Sequence, residues 1–200
     1  FTGKAENANL EAVMRFEIDQ QNEPSVVTQI ITTLTQIISD VRLVVDDWVP
    51  MRSKLVSIID TLESQDLPIA PQDLEENIAF LRWVSNNHFT FIGYRSYGLK
   101  KDPMTGLCEL KPKKGTGLGS FRDDNCTPDS LLPSTLSLQH SELAMRRDML
   151  VMTKSTSSST VHRPVNFDYL GLKRFDEQGN VIGEERFFGL YSSAAYTARI

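Results

Sequence analysis

The amino-acid sequence predicts an α+β fold, in which an antiparallel sheet of about five strands packs against helices on one face and follows a helical connector. Two stretches carry this prediction. Residues 159–193 have the pattern of two long strands joined by a tight turn, and residues 24–62 place apolar side chains at helical spacing. The connector therefore precedes the strands that form the main sheet.

The hairpin is predicted from its alternation and its turn residues. Phe167–Phe175 alternates large side chains with small or polar ones, and Val181–Ser192 supplies the partner strand. Between them, Asp176–Asn180 contains the Asp, Gly and Asn residues that favour tight turns. Because strand side chains point alternately to two faces, one face can pack on a core while the other meets helices or water.

The connector is predicted to be helical but interrupted. Pro24 suits a first helical turn, where its missing N–H has no intrahelical partner. Since a proline inside a helix removes a hydrogen bond and clashes with the preceding turn, Pro50 predicts a break or kink at 48–51 and two or three helices. Asp46 and Asp47 are expected on a solvated helix face. The apolar residues at helical spacing are Val26, Val27, Ile30, Ile31, Leu34, Ile37, Ile38, Val41, Val44, Val45, Trp48, Leu55, Ile58, Ile59 and Leu62.

The flanking segments follow from the same patterns. Leu10–Asp19 alternates apolar and polar residues, which predicts a strand with one wet face, the last strand of an upstream domain. Pro68 and Pro71 mark a linker, after which a helix runs to Asn86 and Asn87. Asparagine tolerates the left-handed conformation that ends a helix, so the helix is predicted to stop there.

The remaining strands are predicted to be shorter or irregular. Phe89–Leu99 is the first strand of the main domain, and Gly93 within it suggests a bulge or the close approach of another backbone. Leu107–Leu110 is a short return strand, and Leu150–Lys154 another strand. The stretch 125–140 is expected to be irregular with a short helix, and 155–160 to be turn material.

Composition excludes several classes of protein. The 200 residues carry a net charge of −5, a poor match for nucleic acid. No apolar run is long enough to cross a bilayer and no signal peptide begins the chain, so we expect no membrane partner. Cys108 and Cys126 are too few for a disulfide scaffold, which favours the reducing cytoplasm. Phe1 is not a natural initiator, so the chain is expected to be part of a longer polypeptide.

Few residues have the pattern of a reactive site. The glycines at 115, 117 and 119 fail the spacing of a dinucleotide loop, and no convincing helix follows them. His162 and Arg163 are the candidates for contact with a ligand or an anion, because arginine can bind two oxygens of a carboxylate or phosphate. We favour the alternative that both residues fix a loop, since no nucleophile accompanies them.

Other ionisable residues are not expected to act together. His88 and His140 are isolated, and a zinc site needs three or four ligands at close spacing. Glu184 and Glu185 are neighbours on a predicted strand, so they should point to opposite faces and cannot form an acid/base pair. The sequence predicts no catalytic, cofactor-binding or metal-binding residue.

Six stretches, covering nearly the whole chain in order, resemble the large bacterial NAD-specific glutamate dehydrogenases. The combination of HRP, a tyrosine-containing strand and RFFGLY is not a generic pattern. The stretches are AVMRFEID (12–19), DVRLVVDDWVPMRSKL (40–55), FLRWVSNNHFTFIGYRSY (80–97), GLGSFR (117–122), STVHRPVNFDYLGLKRFD (159–176) and GNVIGEERFFGLYSSAAY (179–196).

The resemblance implies a non-catalytic part of a much longer enzyme. In that family the catalytic and NAD-binding domains lie C-terminal to the region that this chain resembles, and the N-terminal half carries ACT-like and PAS-like modules for regulation and subunit assembly. The family reaction is oxidative deamination of L-glutamate to 2-oxoglutarate and ammonium, with NAD as hydride acceptor. No family catalytic residue is carried over, and NAD is expected in the parent enzyme rather than in this fragment.

The resemblance also implies domains and partners. Residues 1–20 would end a preceding ACT-like module, 21–66 would form the helical connector, and 67–200 an α+β PAS-like or ACT-like domain. The expected partners are other domains and subunits of a homo-oligomeric cytoplasmic enzyme and a small effector such as an amino acid. One alternative is a purely structural oligomerisation module without a ligand. The other is a self-contained enzyme using His162 and Arg163.

Overall fold

A computed structural model of the chain describes residues 13–65, 67, 69–123, 142 and 144–197. The chain divides into two units, Phe1–Thr35 and Gln36–Ile200. The helices whose bounds the structure describes are α1 (Pro24–Ser64), α2 (Pro71–Trp83) and α3 (Ser193–Thr197), and a π-helical turn, Val84–His88, follows α2. Glu142, Ala144 and Met145 are also helical. The strands are β1 (Phe89–Lys101), β2 (Cys108–Pro112), β3 (Leu118–Gly119), β4 (Leu150–Ser158), β5 (Asn166–Phe175) and β6 (Val181–Tyr191).

In the first unit, the described residues before α1 form neither helix nor strand. The strand predicted for Leu10–Asp19 is therefore wrong over residues 13–19, the part that the structure describes. Its apolar side chains are exposed, and Val13 retains 98% of its accessible surface. A strand needs a neighbouring strand to satisfy its backbone hydrogen bonds, and alternation alone does not supply one.

In the second unit, the strands form one antiparallel sheet with the order β2-β1-β6-β5-β4, and the two-residue β3 pairs with β1. The predicted α+β fold is confirmed. β6 lies between β1 and β5, so the two strands of the predicted hairpin occupy the interior of the sheet. In the hairpin turn, the Asp176 carboxylate accepts hydrogen bonds from the backbone amides of Gln178 and Asn180.

Apolar residues of α1 and α2 pack together on one face of this sheet, whereas Val44 of α1 and the helical residue Ala144 belong to two smaller core clusters. Apolar residues of α1 and α2 join those of β1, β5 and β6 in the larger core. Burial of such side chains contributes about 1.5–3 kcal/mol each, which makes this layer the main source of stability. The core residues from α1 and α2 are Met51, Leu55, Ile59, Leu62 and Leu81, and those from the strands include Phe89, Phe91, Tyr94, Leu170, Leu172 and Phe187.

The prediction of two or three helices in the connector is wrong. α1 is one helix of 41 residues that continues through Pro50. A proline inside a helix costs about 3 kcal/mol, but packing can outweigh it. Met51 and Leu55, directly after the proline, are completely buried in the core, and Asp47, before it, is also buried. These contacts on both sides of Pro50 hold the helix together.

Two backbone predictions are confirmed and one is corrected. Asn87 has a φ of +63° at the end of the helical segment, as its left-handed tolerance predicted. The β1–β6 register shifts between Phe91 and Gly93, which is the predicted irregularity. A side chain at Gly93 would also come within 2.5 Å of the Phe121 ring. The predicted turn at 155–160 is wrong as far as residue 158, because β4 extends to Ser158.

The irregular segment predicted at 125–140, with its short helix, lies outside the described residues, as do Cys126 and His140. Cys108 is described, and it is buried at the start of β2.

Candidate functional site

The centre of the sheet carries ionisable side chains on both faces. Glu184 and Glu185 are adjacent on β6, and their contacts diverge. Glu184 bonds Lys173 and Arg186, whereas Glu185 bonds Tyr94, Ser96 and Arg174. The two carboxylates therefore belong to separate sites, as the alternation of the strand predicted.

The first site is a buried charge cluster of Tyr169, Lys173, Glu184 and Arg186. The Lys173 ammonium lies 2.5 Å from Glu184 Oε2, and Arg186 Nε lies 2.7 Å from Glu184 Oε1. The Tyr169 hydroxyl also donates to Glu184 Oε1. Lys173 makes a further bond to the carbonyl of Ala144 at 3.1 Å. Two cations thus share one carboxylate in the interior.

Burial controls the protonation of this cluster. Removal from water, together with the neighbouring positive charge of Arg186, lowers the pKa of Lys173 to about 8. Burial likewise raises the pKa of Glu184, although Arg186 opposes that change. The Arg186 guanidinium also lies 4.0 Å from the centre of the Tyr97 ring. Because the members bind one another, this arrangement is suited to fixing the strands rather than to reacting with a substrate.

The second site is a cavity of about 350 Å³ between α1 and the adjoining ends of β5 and β6. We call it the sheet–helix cavity. Its polar lining includes Lys54 and Ser57 from α1, Arg174 from β5 and Glu185 from β6. Its apolar lining includes Ile58, Leu62, Leu67, Leu172, Phe175 and Ile182. Cavities of this size with a few polar groups in an apolar wall are typical of small-molecule sites.

Two polar groups of the sheet–helix cavity, on Glu185 and Arg174, are held in place by neighbouring residues of the sheet. The Tyr94 hydroxyl donates to Glu185 Oε2 at 2.5 Å, and the Ser96 hydroxyl donates to Glu185 Oε1 at 3.0 Å. Burial is the main reason that the pKa of Tyr94 is raised, and the hydrogen bond to Glu185 raises it further. Arg174 Nε lies 3.0 Å from Glu185 Oε1, and Arg174 Nη2 donates to the Tyr97 carbonyl at 2.9 Å. The Glu185 carboxylate and the Arg174 guanidinium therefore have fixed orientations.

The glycine-containing loop before and after β3 is anchored by an internal carboxylate. Asp47 Oδ2 accepts a 2.7 Å hydrogen bond from the Gly119 amide and a 2.9 Å bond from Arg122 Nε. Arg122 Nη2 lies 2.7 Å from the other oxygen, so the ion pair is bidentate. The prediction of a solvated face is therefore wrong for Asp47, which is buried, while Asp46 is exposed.

This anchoring bears on NAD, which the resemblance implies for the parent enzyme. A dinucleotide loop presents backbone amides to a pyrophosphate. Here the Gly119 amide donates to Asp47, and a side chain at Gly117 would come within 1.7 Å of the Phe121 carbonyl of the same loop. Gly117 and Gly119 therefore permit a tight turn in which the Gly119 amide binds the Asp47 carboxylate. The described residues of this loop do not fit a dinucleotide phosphate.

Acid should weaken the anchoring by Asp47. The hydrogen bond from Arg122 holds the pKa of Asp47 below its ordinary value of 3.8. The unfolded chain therefore binds more protons at Asp47 than the folded chain as the pH falls, and the stabilisation present above about pH 4 is lost below it. We expect Asp47→Asn to lower the free energy of unfolding at neutral pH and to flatten its decline below about pH 4.

Urea denaturation at a series of pH values measures this effect. The matched control is Asp60→Asn, which removes an exposed carboxylate from the same helix. An acid-induced decline as steep in Asp47→Asn as in the original chain would contradict the assignment.

His162 and Arg163 lie in the loop between β4 and β5, and both are exposed. His162 has a φ of +71°, and Arg163 Nη2 donates to the Tyr191 carbonyl at 3.0 Å. Arg163 therefore ties the loop to the end of β6, as in the interpretation that we favoured. Neither residue lines the sheet–helix cavity. Their contact with a ligand or an anion stays a prediction.

His88, the remaining candidate histidine among the described residues, has structural contacts. His88 Nδ1 lies 2.8 Å from the Trp83 carbonyl, and its ring stacks on the Trp83 indole. Among the described residues, no group of three or more histidine, cysteine, aspartate or glutamate side chains could hold a metal ion. No helix in the described part of the chain is long and apolar enough to cross a membrane.

Sequence reasoning missed Lys54, Arg174 and Glu185 as lining residues of one cavity. They come from a helix and two strands, and only the fold brings them together. Asp47 could have been found, because it falls at the same helical spacing as the buried Val44 and Met51. A carboxylate within an apolar stripe requires a buried partner.

Comparison with known proteins gives two relatives. The chain is 30% identical over 187 residues to the NAD-specific glutamate dehydrogenase of Halomonas elongata, and the match covers 93% of this chain. It is 27% identical over 199 residues to the NAD-specific glutamate dehydrogenase of Pseudomonas aeruginosa, covering 98% of this chain. The chain spans only 12% of the length of each relative. No family model matches. The resemblance stated from the sequence motifs is confirmed by these two relatives.

Proposed function

We infer that this chain is one segment of an NAD-specific glutamate dehydrogenase, and we propose that it serves regulation and subunit assembly rather than hydride transfer. The observation that carries the proposal is the extent of the match, which covers 93% of this chain but 12% of the Halomonas relative. Most of the length of such an enzyme thus remains for the catalytic and NAD-binding parts. The self-contained pairing of the buried charge cluster also supports a structural role.

In the proposed parent enzyme, L-glutamate is oxidatively deaminated to 2-oxoglutarate and ammonium while NAD accepts the hydride. The parent is a cytoplasmic homo-oligomer, and this segment contacts other domains and subunits. An antiparallel sheet with α1 and α2 packed against it fits the ACT-like and PAS-like modules that the resemblance implies. A fold does not specify a ligand, so regulation and assembly are each tested by experiment.

The first expected result is that the pure chain forms no detectable NADH from L-glutamate and NAD. The assay follows NADH absorbance, and the intact Pseudomonas aeruginosa enzyme is the positive control. Turnover that remains with the chain through purification and disappears in His162→Ala would favour the self-contained enzyme and overturn the proposal.

The second experiment tests assembly and regulation in the intact relative. Deleting the matching segment from the Pseudomonas aeruginosa enzyme should change the oligomeric state measured by light scattering, or abolish the response of its activity to small effectors. An enzyme that keeps its assembly, its activity and its effector response without the segment would refute the proposed role.

A purely structural oligomerisation module is the second candidate. The buried charge cluster favours it, because its members bind one another. Titration calorimetry of the chain with amino acids and nucleotides separates the candidates. Heat from none of them, together with a change in assembly on deletion, would favour the structural module.

A further inference from the structure

We propose that the sheet–helix cavity binds a small organic carboxylate, with Lys54 and Arg174 as the groups that receive its negative charge. This inference deepens the regulatory role proposed above and rests on it for its biological meaning. The binding itself is a property of the described residues of the chain.

The charge of the cavity selects an anion. Its ionisable lining residues are Lys54, Lys173, Arg174 and Glu185. The Lys173 ammonium is bonded to Glu184 in the buried charge cluster and is not available to a ligand. Two cations and one carboxylate remain, so the site carries one excess positive charge. A monoanion would neutralise it.

Two donors are available for that monoanion. In the described part of the chain, the Lys54 ammonium has no ion-pair partner, and its nearest described aromatic contact is the Tyr94 ring, with 6.0 Å between Nζ and the ring centroid. Arg174 Nε lies 3.0 Å from Glu185 Oε1 in an ion pair without a hydrogen bond, and Nη2 donates to the Tyr97 carbonyl. Among the described contacts Nη1 has no acceptor, and it is the donor that we assign to the ligand. Because Glu185 and the Tyr97 carbonyl already fix the guanidinium, binding a carboxylate there requires little further ordering.

The remainder of the lining selects an organic ligand rather than an inorganic anion. Leu62, Leu172 and Phe175 form part of the wall, and the cavity of about 350 Å³ is larger than a phosphate ion requires. An apolar body of a few carbon atoms can contact this wall while its carboxylate meets the two cations. Amino acids and simple carboxylic acids share this chemistry.

Titration calorimetry of the 200-residue chain at low salt tests the proposal. The probes are 4-methylpentanoate, its uncharged amide, L-leucine and inorganic phosphate. We expect saturable binding of 4-methylpentanoate, L-leucine or both, with neither the amide nor phosphate binding as tightly. L-leucine and 4-methylpentanoate distinguish amino acids from simple acids as the source of the carboxylate. Equal affinity for the amide, tighter binding of phosphate, or no binding of either carboxylate would overturn the proposal.

Variants locate the binding in the cavity. Lys54→Gln should weaken carboxylate affinity about tenfold, the value of one charge-assisted hydrogen bond. Since Lys54 is exposed, this substitution should not disturb folding. Ser57→Leu narrows the cavity from the same helix and should also weaken binding. Lys114→Gln is the control, because it removes an exposed lysine that does not line the cavity.

The variants also separate this inference from the proposed function. Unchanged affinity in both Lys54→Gln and Ser57→Leu would place binding elsewhere and refute the site. If binding fails while deletion of the segment still changes assembly of the intact relative, the inference is wrong and the assembly role stands. If binding is confirmed while deletion changes nothing, the proposed role is wrong and the site stands.

Discussion

Glu184→Leu should lower the free energy of unfolding by about 3–5 kcal/mol, because it leaves two buried cations without their shared carboxylate. Lys173 and Arg186 both lose an ion pair, and the Tyr169 hydroxyl loses its acceptor. A loss of this size is a large fraction of the stability of an ordinary domain, about 5–15 kcal/mol. Urea denaturation followed by circular dichroism measures it.

Two comparisons isolate the charge from the change of side chain. Lys173→Met removes one cation but leaves the 2.7 Å pair between Arg186 and Glu184, so it should cost less than half as much as Glu184→Leu. Glu177→Leu removes a carboxylate from the exposed hairpin turn and should stay within about 0.5 kcal/mol of the original chain. A cost for Glu184→Leu no larger than that of Glu177→Leu would show that the cluster does not stabilise the fold.

Gly119→Ala should lower the free energy of unfolding by about 3 kcal/mol, because backbone strain and a steric clash coincide at this residue. Its φ is +61°, in the left-handed region that disfavours alanine, and a side chain there would come within 2.3 Å of the Ile92 carbonyl. Movement to relieve the clash would also disturb the 2.7 Å bond between the Gly119 amide and Asp47.

Gly115→Ala provides a matched control in the same segment. Gly115 has a φ of +70°, close to that of Gly119, but nothing lies within 4 Å of the position its side chain would occupy. This substitution should therefore cost only the conformational strain, about 1 kcal/mol. Equal costs at the two glycines would mean that the clash with Ile92 contributes nothing.

The sequence predicted the local structure of the second unit well. The turn at 176–180 and the helix end at Asn87 depend on side-chain preferences that act over a few residues. The single helix α1 could not be predicted, because the cost of Pro50 is local while its compensation is tertiary. Met51 and Leu55 contribute this compensation only when packed on the sheet.

The candidate site was harder to predict from the sequence than the local structure. The separation of Glu184 and Glu185 followed directly from strand alternation. The sheet–helix cavity did not, because it joins Lys54 to residues more than a hundred positions later. Its one excess positive charge appears only after Lys173 is paired with Glu184 on the other face of the sheet.

The place of β6 in the sheet determines when this domain can fold. β1 lies between β2 and β6, and the bond that joins Tyr94 to Glu185 spans 91 positions of the chain. Closing so long a loop is entropically costly, and long-range pairing of this kind slows folding. The β1–β2 hairpin, which can form earlier, is at most marginally stable by itself. During synthesis, β1 therefore cannot pair with β6 until Val181–Tyr191 has emerged from the ribosome, and until then the backbone groups of β1 that face β6 lack their partners.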